Sequence, residues 1–190
     1  MNKHKIVLPG DKVSTSEELL PGDGTFEDEG VIRASRVGTY VVNEKHRSAV
    51  VEPLTSTPVE LKRGDIVLAE VGSVRSSMII ANVIHVAGKE RGISGDTNGT
   101  LRVSEISAGY VKDPSTEYAA GDIIRAKVIQ VKPNVQLATK DNDLGVIKGL
   151  CTKCRHTLVR KDGILECEQC GHKEKRKIAK DYGTYDPNKL

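Results

Sequence analysis

Short apolar runs, broken every few residues by Gly, Pro, Asn or Asp, recur along the whole chain, and none extends into the long 3.6-residue period of an amphipathic helix. In the middle of the chain, residues 66–71, 78–86, 101–103, 123–131 and 135–139 read as five strands. Gly64-Asp65 and Gly121-Asp122 open the first and fourth, and Pro133-Asn134 reverses the chain before the fifth. The pleat puts Ile124, Ala126 and Val128 on one face of the fourth strand and Arg125 and Lys127 on the other. Five strands without a long helix predict a small closed barrel. Residues 104–107 are expected to form one helical turn capped by Ser104, and the Gly- and charge-rich segment 88–100 the longest and most mobile loop.

The flanking segments carry the same β signature. Residues 31–37, 39–42 and 48–52 follow an acidic, Gly-rich stretch at 21–30, with reversals at Gly38 and 43–46, which predicts a small β-barrel or sandwich over 1–60. Near the end, residues 157–160 and 164–166 flank Lys161-Asp-Gly163 and read as a hairpin with an Asp-Gly turn. The chain is therefore expected to be mostly β in three parts: a small N-terminal domain over 1–60, a five-stranded barrel of the OB type over 61–147, and a ribbon over 148–190.

Composition agrees with several small cores. Of 190 residues, 37% are hydrophobic and 29% charged, with no Trp and a single Phe, Phe26. No run approaches the roughly 18 apolar residues of a membrane span, and no apolar stretch follows Lys3 and Lys5, so a soluble, cytoplasmic protein without a membrane partner is expected. Charge is uneven: 7 Lys/Arg face 10 Asp/Glu over 1–60, 12 face 10 over 61–149, and 10 face 6 over 150–190. The basic excess downstream permits nucleic-acid contact, while the acidic first segment suggests a different partner.

All four cysteines lie in Cys151-Thr-Lys-Cys154 and Cys167-Glu-Gln-Cys170, with twelve residues between the pairs. Two such knuckles can surround one Zn²⁺ tetrahedrally, and Gly171 supplies the freedom that the backbone needs to turn around it. Four thiolates close the coordination shell, so the site is expected to be structural; His156 and His172 stand near but are not needed as ligands. An iron site shares the same ligands, a disulfide pair would need an oxidising compartment, and a thioredoxin-like pair would need a strand before it and a helix after it. A ribbon of this size depends on its metal for folding, so metal loss is expected to unfold it and leave the barrel standing.

No paired carboxylates, P-loop or Gly-x-Ser-x-Gly elbow are evident, which argues against an enzyme. Glu27-Asp-Glu29 reads as a solvated acidic loop, and Arg63-Gly64-Asp65 as a turn at the start of a strand.

The order of Gly64-Asp-Ile-Val67, Leu101-Arg-Val-Ser-Glu-Ile-Ser107 and Gly121-Asp-Ile-Ile-Arg-Ala-Lys-Val-Ile129 resembles the S-one type of OB barrel, an RNA-binding repeat named after a ribosomal protein. Members of that family stack bases on aromatic residues of the second and third strands. In this chain His85 is the only ring on the second strand, and Tyr110 and Tyr118 fall after the third. With that departure, the resemblance implies phosphate-dominated RNA binding by Lys89, Arg91, Arg102, Arg125 and Lys127 beside His85, with little sequence preference and little contribution from Tyr110.

The whole chain shows a further likeness. Val7-Leu-Pro-Gly-Asp11, then Gly24-Thr-Phe-Glu-Asp-Glu-Gly-Val-Ile-Arg-Ala-Ser35, then the barrel and the four-Cys ribbon, together resemble the zinc-ribbon cap subunits of the archaeal RNA exosome. Such a resemblance implies a non-catalytic subunit that binds single-stranded RNA and sits on a hexameric ring of ribonuclease-PH-type proteins, funnelling RNA to that 3′–5′ exoribonuclease. The N-terminal domain would dock on the ring, the barrel would face the pore, and the ribbon would contact partners that include a bacterial-primase-like protein. Two other readings stay open: an OB-plus-ribbon translation or transcription factor, and a thiol oxidoreductase using the C-x-x-C pairs.

Overall fold

Alternating β-branched residues give the first segment of the chain two small sheets. In the computed structural model, which describes residues 5–161 and 163–184, this segment carries β1 (Lys5–Val7), β2 (Lys12–Thr15), β3 (Leu20–Pro21), β4 (Thr25–Asp28), β5 (Val31–Ala34), β6 (Gly38–Asn43) and β7 (Ser48–Pro53). One sheet has the order β1-β6-β7-β3 and the other β2-β5-β4. Val7, Ala34 and Val51 are buried at its centre, with Val13 and Tyr40 packed against them. Glu29 and Gly30, both with positive φ, form the two-residue turn that joins β4 to β5. The run expected over 31–37 ends at Ala34, because Ser35 turns to bond the Gly24 carbonyl and Arg36 reaches the Val51 carbonyl and Asp23.

The chain divides between Thr57 and Pro58 into two compact units. The second begins with β8 (Val59–Glu60), followed by β9 (Ile66–Val74), β10 (Met78–Val86), β11 (Ile93–Ser94), β12 (Asn98–Arg102), β13 (Ile123–Gln130), β14 (Val135–Ala138) and β15 (Gly145–Lys148). Strands β9, β10, β12, β14 and β13 pair in that order, and β13 returns to β9 to close a five-stranded barrel. Every pairing around the ring is antiparallel except β12 with β14. Val67, Ala69, Val71, Ile79, Ala81, Val83, Leu101, Ile124, Ala126, Val128 and Leu137 are buried within it, as the pleat predicts for β13. Ile106 and Tyr118 are fully buried beside them. The Tyr118 hydroxyl donates to Thr139 Oγ1 (2.8 Å), which donates on to the Ile106 carbonyl (3.0 Å), and burial pushes the phenol far above its ordinary pKa.

Two local expectations are corrected. The turn after β12 is a 3₁₀ helix over Val103–Glu105 with Arg102 at its N-cap and no side-chain cap bond; burial of Ile106, rather than Ser104, fixes it. The segment 88–100 is not one open loop, because β11 pairs in parallel with β8 and β12 already starts at Asn98. Ile93 packs against the barrel core, which ties that segment down.

Beyond β15 the chain forms β16 (Leu158–Lys161), β17 (Ile164–Cys167) and β18 (Lys173–Glu174), paired in that order as the ribbon. Asp162 of the expected Asp-Gly turn lies outside the described residues. Cys151, Leu158, Leu165, Cys167 and Tyr182 belong to the same buried apolar cluster as the barrel interior, so ribbon and barrel share a core. No helix among the described residues is long and apolar enough to cross a membrane.

Candidate metal centre and nucleic-acid faces

Two knuckles of identical design bring the cysteines together. In the first, the Cys151 N–H donates to the His156 carbonyl (2.8 Å) and the Arg155 N–H to the Cys151 carbonyl (2.9 Å). In the second, the Cys167 N–H donates to the His172 carbonyl (2.9 Å) and the Gly171 N–H to the Cys167 carbonyl (2.8 Å). The residue closing each turn is left-handed, with φ +62 at Arg155 and +67 at Gly171. Sequence spacing exposes only the glycine. Arg155 occupies the equivalent position at a conformational cost of roughly 1–2 kcal/mol, and its guanidinium is fixed to the Ala120 carbonyl (2.8 Å).

The four Sγ atoms lie within 4.8 Å of one another, with separations of 3.3 Å for Cys154–Cys167, 3.5 Å for Cys154–Cys170 and 3.6 Å for Cys151–Cys170. A tetrahedron with metal–sulfur bonds of about 2.3 Å has edges of about 3.8 Å, so the group can hold one metal ion. Backbone N–H groups face the sulfurs, from His156 onto Cys154 and from His172 onto Cys170. Burial opposes ionisation of the Cys167 thiol, but the N–H groups of Cys170 and Gln169 and the neighbouring Cys154 thiol bring it down to about 7. All four cysteines are free of disulfides. Each pair lies in a turn rather than at the start of a helix, which removes the thioredoxin-like reading.

A buried ionic chain ties this centre to the barrel. Thr152, inside the first knuckle, donates its N–H (2.8 Å) and hydroxyl (3.0 Å) to Glu174 Oε1. Arg176 bridges the other Glu174 oxygen and Asp122, at 2.9 Å to the latter, and all three side chains are almost wholly buried. Asp122 also accepts the N–H groups of Ala119 (2.8 Å) and Leu150 (3.2 Å). Burial raises its carboxyl pKa, while those N–H groups and Arg176 hold it down. Tyr182 accepts from the Gly149 N–H (3.1 Å) and donates to the Leu158 carbonyl (2.7 Å). Lys177 donates to the carbonyls of Thr139 and Leu144 and sits so close to Gly145 (φ +138) that a Cβ there would collide with the Lys177 carbonyl.

The residues proposed from sequence to meet RNA do not form one cluster. Arg102 is exposed at one end of β12, opposite Met78. His85, half-buried beyond a bulge, and exposed Lys89 and Arg91 lie at the other end of β10, roughly 26 Å along the strand. Lys127 is exposed on β13, which neighbours neither β10 nor β12 in the ring. Arg125 is only 11% exposed and is engaged by Asp181 (2.5 Å) and the Asp143 carbonyl (3.2 Å). The pleat gave its direction correctly, but the returning tail covers it, so it is a joint residue in the structure.

A family model described as the exosome complex exonuclease RRP4 N-terminal region matches residues 6–43. Over 179 residues, 94% of this chain and 97% of the relative, the chain is 38% identical to the exosome complex component Csl4 of Archaeoglobus fulgidus. The chain belongs to the Csl4 family of exosome components. Human exosome complex component CSL4 is 28% identical over 185 residues, 93% of each chain. Exosome complex component Rrp4 of Methanothermobacter thermautotrophicus is 29% identical over 147 residues, covering 76% of this chain and 43% of that protein. The likeness to Csl4 therefore runs through both units and the ribbon, whereas the family model touches the N-terminal unit alone.

The ionic joint of Asp122, Glu174 and Arg176 has no local signal in the sequence. Arg75 is exposed in the β9–β10 turn, next to the end of β12. In sequence Asp122 reads as part of a strand-opening turn, and nothing local announces that Arg176, 54 residues later, buries itself against it.

Proposed function

We propose that this chain is a non-catalytic, RNA-binding cap subunit of a cytoplasmic exosome, holding one structural Zn²⁺ on Cys151, Cys154, Cys167 and Cys170. The observation that carries the proposal is a closed OB-type barrel sharing its core with a four-thiol cluster, in a chain matched to an exosome component over nearly its full length. Four thiolates leave no open position for substrate water, which favours a structural ion. Zinc adds no redox chemistry to such a site; the knuckle backbone turns the sulfurs inward and supplies N–H groups to them. RNA degradation then belongs to a ribonuclease-PH-type ring. This subunit raises the local concentration of single strands and steers them by charge. The N-terminal unit, acidic in balance, is the proposed ring-docking part, and the ribbon the proposed surface for a bacterial-primase-like partner.

Deleting residues 1–57 is expected to abolish co-elution with the ring while residues 58–190 keep their RNA affinity. Retained co-elution would refute the docking assignment, and capture of ribosomes or RNA polymerase instead of the ring would refute the cap reading.

Charge should govern RNA affinity. Two to four phosphates neutralised on a single strand give a slope of log affinity against log salt near −1.4 to −2.8, at about −0.7 each. Arg102→Ala combined with Lys127→Ala is expected to flatten the slope by about 1.4 if RNA crosses both walls, and by about 0.7 if it follows one. An unchanged slope in salt titrations with oligo-A and oligo-U would remove both residues from the contact.

A further inference from the structure

Tyr110 is presented to solvent more fully than any other large hydrophobic side chain described, at 94% exposure, while Tyr118 and Tyr182 of the same unit are buried. Its loop is pinned on both sides. Ile106 before it is fully buried, Val111 after it packs against the barrel core, the Gly109 N–H bonds Ser107 Oγ (3.2 Å), and Asp113 caps the next turn through the Ser115 N–H (2.9 Å). A ring held out in water by an anchored loop forgoes the burial that a slight collapse would give it, and this marks an interaction site.

The loop leaves the barrel at the end that carries the β9–β10 turn. The Val103 N–H donates to the Ser77 carbonyl (3.3 Å), and Arg102 is registered opposite Met78. Arg75, Arg102 and Lys112 are exposed on these segments. Two carboxylates of the same stretch are already engaged: Glu105 pairs with Lys140 (3.0 Å), and Asp113 accepts its capping bond. A projecting aromatic ring on segments carrying cations that have no ion pair among the described residues fits a single-stranded nucleic acid, which stacks its bases on rings and lays its phosphates on Arg and Lys. A protein pocket would instead favour an anchor in charge-depleted surroundings.

We propose that Tyr110 is a stacking platform for one base of single-stranded RNA, with Arg75, Arg102 and Lys112 holding the flanking phosphates. The proposal rests on the RNA-binding reading above. It adds a ring to a barrel whose β10 carries only His85 and whose β12 carries none, and it replaces the expectation that Tyr110 contributes little.

The test uses the full-length, metal-loaded protein and oligo-U and oligo-A. With no Trp in the chain, its intrinsic emission comes from tyrosine. RNA is expected to quench that emission; Tyr110→Phe should keep the affinity and lose most of the quenching. Tyr110→Ala should weaken both oligomers roughly 5- to 150-fold with an unchanged salt slope and an unchanged melting temperature. Unaltered affinity in Tyr110→Ala, while the wild type binds in a salt-dependent way, would overturn the stacking proposal and leave the RNA reading intact. Absence of binding by the wild type would overturn both. Loss of co-elution with other exosome subunits by Tyr110→Ala, at full RNA affinity, would make the ring a protein anchor and overturn the proposal.

Discussion

Replacing Arg176 with alanine is expected to destabilise the second unit by about 3–5 kcal/mol, because Asp122 and Glu174 would be left buried without their shared cation. Urea denaturation should show the loss as a lower midpoint. Arg176→Lys should recover only part of it, since one ammonium cannot span two carboxylates as the planar guanidinium does. A triple change that keeps the volume but removes every charge, Arg176→Met with Asp122→Asn and Glu174→Gln, should be milder than Arg176→Ala alone. A loss below about 1 kcal/mol would place the pair in the range of solvent-exposed salt bridges and contradict the geometry.

The second large effect concerns the metal. In small zinc-finger peptides the ion contributes of the order of 10–16 kcal/mol to folding, and a ribbon this small has few other resources. From sequence, Cys154→Ser or chelation should unfold the ribbon and spare the barrel. The structure changes that expectation: Leu158, Leu165 and Tyr182 complete the barrel's own apolar cluster, and Glu174 carries the first knuckle's bonds to Arg176 and Asp122. Calorimetry of the chelated full-length protein should therefore show the barrel melting at a lower temperature than with metal bound. A barrel transition unmoved by chelation would show that the shared core adds nothing.

How far the sequence could be read follows from the range of the interactions involved. Strands β10 and β13 were legible because their burial repeats with the pleat, a property of adjacent residues. The cysteine cluster was legible for the same reason, two short spacings and one turn. The ionic joint was not, since Asp122, Glu174 and Arg176 look like surface charges until residues far apart in sequence are brought together. Arg125 shows the intermediate case: alternation fixed the face it points from, and only the tertiary fold revealed Asp181 on that face. Segment 88–100 misled because Ile93, a lone apolar residue among glycines and charges, was enough to pair β11 with β8.

The tail after β18 also covers an open edge of the barrel sheet. Closure of the barrel consumes the edges of its five strands, but β15 extends the sheet past the closing pair and would end in a row of open backbone groups. The Val146 N–H donates to the Lys177 carbonyl (2.8 Å) and the Ala179 N–H to the Val146 carbonyl (2.9 Å), so the tail occupies that row as a short parallel bridge. It thereby guards against strand addition by a second chain. Loss of that bridge is expected to expose the β15 edge and promote aggregation, so the segment that carries Arg176 and Lys177 would serve both the ionic joint and the guarding of that edge.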